Sequence, residues 1–300
     1  MLALSSDTGI ISFNSARYCM REIGIEYDVA TIDIPVRDAV VLRVASAATH
    51  QSKNLYNTGL FLIRQVQTAY EYDPASKVST VKPDAALDPK QIAVIAHFNA
   101  TIDRINAARA GKPPRKSKDP DAPPKFIARL EPTLKTPLSI VLNDTVLDNA
   151  ARSWPNEKGE TVYARLPAAM AQQTLRRLKG AFSGYFASVQ AWNAKSAGMT
   201  GRPRLPDYLH KHDRFVLEIP LAAVRGPLPS MKGKVVPEDY DETSLLPDSA
   251  LAHMGTFNVL AAIAKACDKR GWTNVQPQHL RIVPLSRGVK FEAVVRVERP

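Results

Sequence analysis

Near the end of the chain, Val289, Phe291, Ala293, Val295 and Val297 alternate with Lys290, Glu292 and Arg296, the period of a strand with one dry face and one wet face. Such a strand cannot stand alone, because its backbone donors and acceptors need neighbours. Leu280 to Leu285, joined to it through Ser286-Arg287-Gly288, supplies one neighbour as a hairpin. Phe215, Leu217 and Ile219, alternating with Arg214 and Glu218, supply another segment of the same period. At the opposite end of the chain Ile25, Tyr27 and Val29 alternate with Glu26 and Asp28, and Ile32 and Ile34 follow. Between these ends the period is helical. Strand material at both termini with helices between them predicts an α+β protein whose ends pair into one sheet or small barrel.

The helical middle has three clear segments. From Asp38, an expected N-cap, Val41, Val44, Ala45, Ala48, Leu55, Gly59, Leu62, Val66, Ala69 and Tyr70 mark one face of a long helix, whole or broken once. Residues 89 to 109, opened by Pro89, place Ile92, Ile95, Ala96, Asn99, Ile102 and Ile105 on a second face. Residues 167 to 192, opened by Pro167, carry the stripe Ala171, Leu175, Leu178, Phe182, Tyr185, Phe186 and Val189. Beside it Gln172, Arg176, Lys179 and Ser183 repeat at helical spacing, an amide and two cations along one edge. Phe182 and Phe186 are assigned to the core, since aromatic residues on such a stripe pack more often than they stack on a ligand. A shorter amphipathic helix, 256 to 270, stops at Gly271 with Lys265, Lys269 and Arg270 in its last turns.

Proline and charge divide the chain further. Residues 111 to 125 form a Pro-rich, charged connector; 198 to 211 form a second break, and 225 to 250 a Pro- and acid-rich insertion. The expected organisation is residues 1–37 as opening strand, 38–212 as a helical domain containing the linker, and 213–300 as the remaining strands with the insertion and the last helix. Lys and Arg number 40 against 29 Asp and Glu, for a net +11. Residues 101–136 contribute +5 and residues 165–214 contribute +7, so the whole excess sits on 86 of 300 residues. That clustering fits a footprint for phosphates; the other reading is a basic loop plus a solvated helix face.

The two cysteines, Cys19 and Cys267, form no pair motif, so neither a disulfide framework nor a cysteine zinc site is encoded, and a reducing, cytoplasmic setting is expected. No apolar run is long enough to span a bilayer, so no membrane partner is expected. The phosphate-loop, dinucleotide-binding, serine-hydrolase and zinc-protease signatures are all absent. His210-Lys211-His212-Asp213 offers two imidazoles and a carboxylate, but within a Pro-bounded connector it reads as an exposed basic loop. The acidic run of Glu238, Asp239, Asp241, Glu242 and Asp248 reads as solvated. No cofactor, metal site or catalytic residue is nominated.

One stretch, Ser52-Lys53-Asn54-Leu55-Tyr56-Asn57-Thr58-Gly59-Leu60-Phe61-Leu62-Ile63-Arg64-Gln65, resembles the first helix of the TnpB (OrfB) proteins of insertion sequences, transposon-encoded relatives of type V CRISPR effectors. Three further stretches are similar to that family in its own order. They are Leu166 to Leu178 with Ala181-Phe182 and Tyr185-Phe186, then Gly201-Arg202-Pro203-Arg204-Leu205-Pro206-Asp207-Tyr208, and finally Leu280 to Pro284 with Gly288 to Val295. The resemblance covers roughly residues 38–70 and 165–300.

It implies a split wedge-type barrel of the oligonucleotide-binding kind with an inserted helical recognition domain. The implied partners are a guide RNA from the transposon end and double-stranded target DNA bearing a short adjacent motif, in a nucleoid-associated cytoplasmic protein. Gln172 falls where the family reads that motif, and Gln pairs bidentately with adenine; the family's Lys one turn earlier is Ala168 here. Gln173 is nominated beside it as a nucleic-acid contact, and Arg176, Arg177 and Lys179 are the expected phosphate contacts. Arg202, Arg204 and Lys211 are expected along the RNA path. Arg64 is a further candidate, and Asn54, Tyr56 and Asn57 serve either as contacts or as packing residues. The family's RuvC nuclease would follow the closing hairpin, so a chain ending at Pro300 is expected to bind without cutting. The alternatives are an endonuclease subunit completed by a separate RuvC chain, which would bring Mg, and a non-catalytic transposon remnant or interaction protein.

Overall fold

The computed structural model describes residues 27–36, 39–110, 125–156, 158–195, 201–220, 259–272 and 275–298. The expected cap Asp38, residues 111–124 of the Pro-rich connector, the 225–250 insertion and the opening of the last helix before Val259 lie outside these. In order, the elements are β1 (Tyr27–Ile34), α1 (Ala39–Ala69), β2 (Tyr70–Asp73), β3 (Val78–Val81), α2 (Pro89–Ala110), β4 (Thr133–Leu134) and α3 (Pro137–Val141). They continue with α4 (Asp144–Ser153), α5 (Ala168–Asn193), β5 (Leu217–Pro220), α6 (Val259–Arg270), β6 (Gln276–Pro284) and β7 (Val289–Glu298). The protein is thus mixed helix and sheet, both sheets antiparallel and open among the described residues. Two compact units divide it: Met1–Lys53, Arg165–Gln173 and His212–Pro300 make the first, and Asn54–Ala164 with Thr174–Lys211 the second.

The first unit holds a four-stranded sheet in the order β1-β7-β6-β5. The two ends of the chain therefore pair, β1 running antiparallel to β7. The register explains why. Ile34 faces Phe291, which faces Ile282, which faces Leu217; Ile32, Ala293, Leu280 and Ile219 form a second row. All eight are buried, and a one-residue slip of any strand would turn its row to the opposite face. On β1 the buried set is Ala30, Ile32 and Ile34, so the expected alternation through Val29 holds the wrong parity, and Val29 is only half-buried. Ala293, Val294 and Val295 are buried in succession, as an inner strand permits.

The opposite face carries charges paired within the sheet. Arg281 reaches Glu292 at 2.8 Å, and Lys290 bridges Asp33 at 3.0 Å and Glu292 at 2.9 Å. Gly288, at φ +84°, turns the hairpin where a side chain would be strained. The first part of α1 is tied to the strand lead-in by Phe215 N–H donating to Thr49 O and Ser52 Oγ to Val216 O.

α1 is unbroken, and its burial is not confined to one stripe: Thr49, Gln51, Ser52, Lys53, Tyr56, Leu60 and Ile63 are buried along with the expected positions. Such a helix is surrounded rather than laid on a surface. In the second unit, β2, β3 and β4 form a small antiparallel sheet. Its tight turn is held by Asp73, whose carboxylate accepts from Ala75 N, Ser76 N and Ser76 Oγ and lies below the usual carboxylate range because of those bonds.

α2 buries Gln91, Val94, Phe98, Thr101, Ile102 and Ile105, while the expected stripe members Ile92 and Ala96 are exposed. Further along the same side of the helix, backbone rather than side chains is held. Asn99 donates to Leu130 O and accepts from Leu130 N, and Asn106 does the same with Ile127. Two amides two turns apart thus hold an extended segment along the helix, as a partner strand would.

α4 is capped by Asn143, which accepts from Thr145 N and Val146 N. It carries Asp148 and Arg152 against buried Tyr163. The phenol donates to Asp148 Oδ1 at 2.6 Å, and Arg152 donates to both Tyr163 Oη and Asp148. Burial, then the Asp148 bond, pushes the Tyr163 phenol up to about 12. Because the folded value lies above the ordinary 10.0, this contribution to stability is complete below pH 10 and is lost as pH rises toward 12. Urea midpoints measured across that range should fall more steeply in the native protein than in Tyr163→Phe. Tyr70, also raised to about 12 by burial and Glu131, contributes to the slope that remains, as do Tyr56 and Tyr208, whose phenols burial raises as well.

Candidate nucleic-acid interface

The expected contact residues fall into three local settings. Gln172 and Gln173 lie in the first unit, near the start of α5, both half-buried. Pro167 opens that helix by accepting from Met170 N and Ala171 N.

Arg176, Arg177 and Lys179 follow on α5 within the second unit. Thr174, Leu175, Leu178 and Phe182 bury the inward side, which leaves Arg176 exposed and Arg177 half-buried. Lys179 forms an ion pair with Asp144 at 2.9 Å, across to the first residue of α4. Its charge is therefore shared with a carboxylate.

The third setting is the extended segment 201–211, also in the second unit. It is gripped by α1 at two points. Asn57 donates to Leu209 O at 2.9 Å and accepts from Leu209 N at 3.0 Å. Two turns along, Arg64 donates to Pro206 O and Asp207, and its guanidinium lies 4.8 Å from the centre of the Tyr208 ring. Both ends of the Asn57 amide are thus engaged with Leu209, and one terminal nitrogen of the Arg64 guanidinium with the segment it clamps. Tyr56 is buried and Asn54 half-buried. Burial pushes the phenols of Tyr56 and Tyr208 above their ordinary value, Arg64 partly opposing it.

Pinned at Pro206 and Leu209, the segment presents Arg202 and Arg204 on one side of the clamp and Lys211 on the other, all exposed. His210 and His212 are exposed as well. Among the described residues no group of three or more His, Cys, Asp or Glu side chains is placed to hold a metal ion, and no helix is long and apolar enough to cross a membrane. The arrangement offers cations on a rigid helix and on a tethered extended chain, suited to sequence-independent contact with phosphates.

Sequence reasoning missed a cavity of about 670 Å³ in the second unit, lined by Gln67 of α1, Tyr70 and Tyr72 of β2, the stretch 135–139, Leu142 and Phe186 of α5. Its residues come from separate parts of the chain, and no single spacing announces them. Phe186, assigned to the core from its stripe, forms part of this wall and is only half-buried, because α5 outruns the fully buried stretch that ends at Phe182.

Compared with protein-family models, curated proteins and solved structures, the chain matches none.

Proposed function

We propose that these residues form the RNA-binding and target-recognising part of a TnpB-like, RNA-guided DNA-binding protein, with cleavage assigned to a nuclease module outside them. The carrying observation is the pairing of β1 with β7 around an inserted helical stretch, the connectivity of a split sheet holding a recognition domain. Closing that sheet into a wedge barrel would take strands beyond the four described. Arg176 on α5 and the exposed cations of the 201–211 segment supply the affinity for phosphate; Gln172 is the base-reading candidate, with Gln173 beside it. Sequence would then be read mainly by guide pairing.

Salt-titrated binding to the RNA that co-purifies with the protein tests this reading. A steep, linear fall of log affinity with log salt is expected. Arg176→Ala should reduce that slope by about one unit and weaken all RNAs alike, with the thermal midpoint unchanged because the side chain is exposed. The same substitution at Lys179 should do less, its charge already being paired with Asp144. Indifference to RNA at all salt concentrations overturns the proposal and favours an interaction protein.

A further inference from the structure

The cations of residues 101–136 make up +5 of the net charge, and none of them belongs to α5 or to the 201–211 segment. Within this cluster the end of α2 and the extended stretch 125–130 carry Arg104, Arg109, Lys125 and Arg129 against one carboxylate, Asp103. All four lie in the second unit; Arg104, Lys125 and Arg129 are exposed and Arg109 half-buried. Asp103 stands 3.6 Å from Arg129, both side chains about half exposed, and a pair so loose and so wet neutralises little. Amid these charges the ring of Phe126 is 57% exposed.

A single exposed apolar side chain is ordinary on a protein surface. What sets Phe126 apart is the hold on its backbone. Arg109 donates to Lys125 O at 2.9 Å. Asn106 accepts from Ile127 N at 2.9 Å and donates to Ile127 O at 2.8 Å, and Asn99 holds Leu130 in the same way at 2.7 and 3.1 Å. The peptide on each side of Phe126 is therefore tied to α2. Its backbone is ordered in advance, so a partner landing on the ring has little chain entropy left to remove. The Arg109 bond also places a cation beside the peptide that precedes the ring.

We infer that Phe126 is a stacking platform for one base of a single-stranded nucleic acid, whose phosphates meet the cations around it, Lys125 and Arg104 foremost. An exposed aromatic face takes any base, and fixed cations beside it track the backbone. A duplex keeps its base faces covered by their neighbours, so the strand that uses the ring is unpaired. An apolar protein surface closing over the ring would have to strip water from the cations. A membrane surface calls for a broad apolar face, whereas residues 125–130 expose Phe126 alone as a large apolar side chain. The inference rests on the nucleic-acid binding proposed above and adds a second contact region to it.

The test uses the full chain with labelled oligoadenylate, as RNA and as DNA of the same length, titrated by fluorescence anisotropy. Phe126→Leu keeps an apolar side chain but no aromatic face. It should weaken binding of the single strands about tenfold and leave the thermal midpoint unchanged, the ring being exposed. Phe126→Trp should bind at least as well as the native chain, and its added emission should be quenched by the stacked base. Lys125→Ala should lower the salt slope by about one unit. Tighter binding of the RNA identifies the occupant as a guide segment, and tighter binding of the DNA as an opened target strand, both through the same ring. Unchanged affinity in Phe126→Leu, a lowered midpoint, or unquenched Phe126→Trp overturns the inference. So does Phe126-dependent binding to phosphatidylserine vesicles without binding to single strands. The two proposals fail separately. A steep salt slope for the co-purifying RNA that depends on Arg176 but not on Phe126 removes the platform alone. Single-strand binding that needs Phe126, with no affinity for a folded transcript, keeps the platform and removes the RNA-guided reading.

Discussion

Replacing Phe182 by alanine is expected to lower the stability of the second unit by about 3–5 kcal/mol, the cost of deleting a fully buried aromatic ring. Phe182 is 0% exposed on α5 between Leu178 and Phe186. Whole domains are stable by only about 5–15 kcal/mol, so such a loss brings the unit close to unfolding. Urea titration followed by the fluorescence of Trp154 and Trp192, both in this unit, measures it. Phe186→Ala should cost much less, because that ring is only half-buried. The comparison also decides a functional question. If Phe182 were a stacking platform for bases, its loss would reduce RNA affinity with little change in stability; a drop of under about 1 kcal/mol would refute its place in the core.

Those two rings show where the sequence pattern speaks clearly and where it fails. Helical spacing identifies the side of α5 that Leu175, Leu178 and Phe182 bury, but it cannot say how far along the helix burial continues. The terminal strands were legible because strict alternation admits one sheet face, and the rows from Ile34 to Leu217 and from Ile32 to Ile219 follow directly from it. Parity on β1 was not, since apolar residues occupy both its alternations. On α2 the stripe through Ile92, Ile95 and Asn99 lies on the side where Asn99 and Asn106 grip residues 127–130, but Ile92 and Ala96 on that side stay exposed. Hydrophobic spacing cannot distinguish a face buried by side chains from one covered by a gripped backbone.

The same limit applies to the interface. Arg176, Arg202 and Arg204 were legible as cations on an edge and in a break. That Lys179 would meet Asp144 and that Arg64 would close on Pro206 and Tyr208 depends on which distant segments the fold brings alongside. α3, α4 and the β2–β3 hairpin are short, and their signals are caps and turns, Asn143 and Asp73, rather than periods. The cavity is a step further removed, being assembled from residues between Gln67 and Phe186.

Gly59→Leu is expected to destabilise the second unit by about 3 kcal/mol, at the upper end of ordinary overpacking. Gly59 sits inside α1, where glycine is a poor helix former and its presence signals a close approach. A β-carbon there would lie 2.8 Å from Leu178 Cδ2 and 2.9 Å from Leu175 Cδ2. Both leucines are buried, at 0% and 3% exposure. For alanine two effects oppose each other. The helix gains about 1 kcal/mol in propensity, and the two methyl groups, being ends of flexible side chains, can turn aside at similar cost, so Gly59→Ala should come out near neutral. Leucine adds three more carbons to a space with no room for the first, and propensity can no longer offset the strain. Pairing Gly59→Leu with Leu178→Ala should recover part of the loss, giving a favourable coupling of about 0.5–3 kcal/mol in a double-mutant cycle. If the two substitutions simply added, α1 and α5 would not be in contact at Gly59, and the packing that carries the cationic edge of α5 would need another explanation.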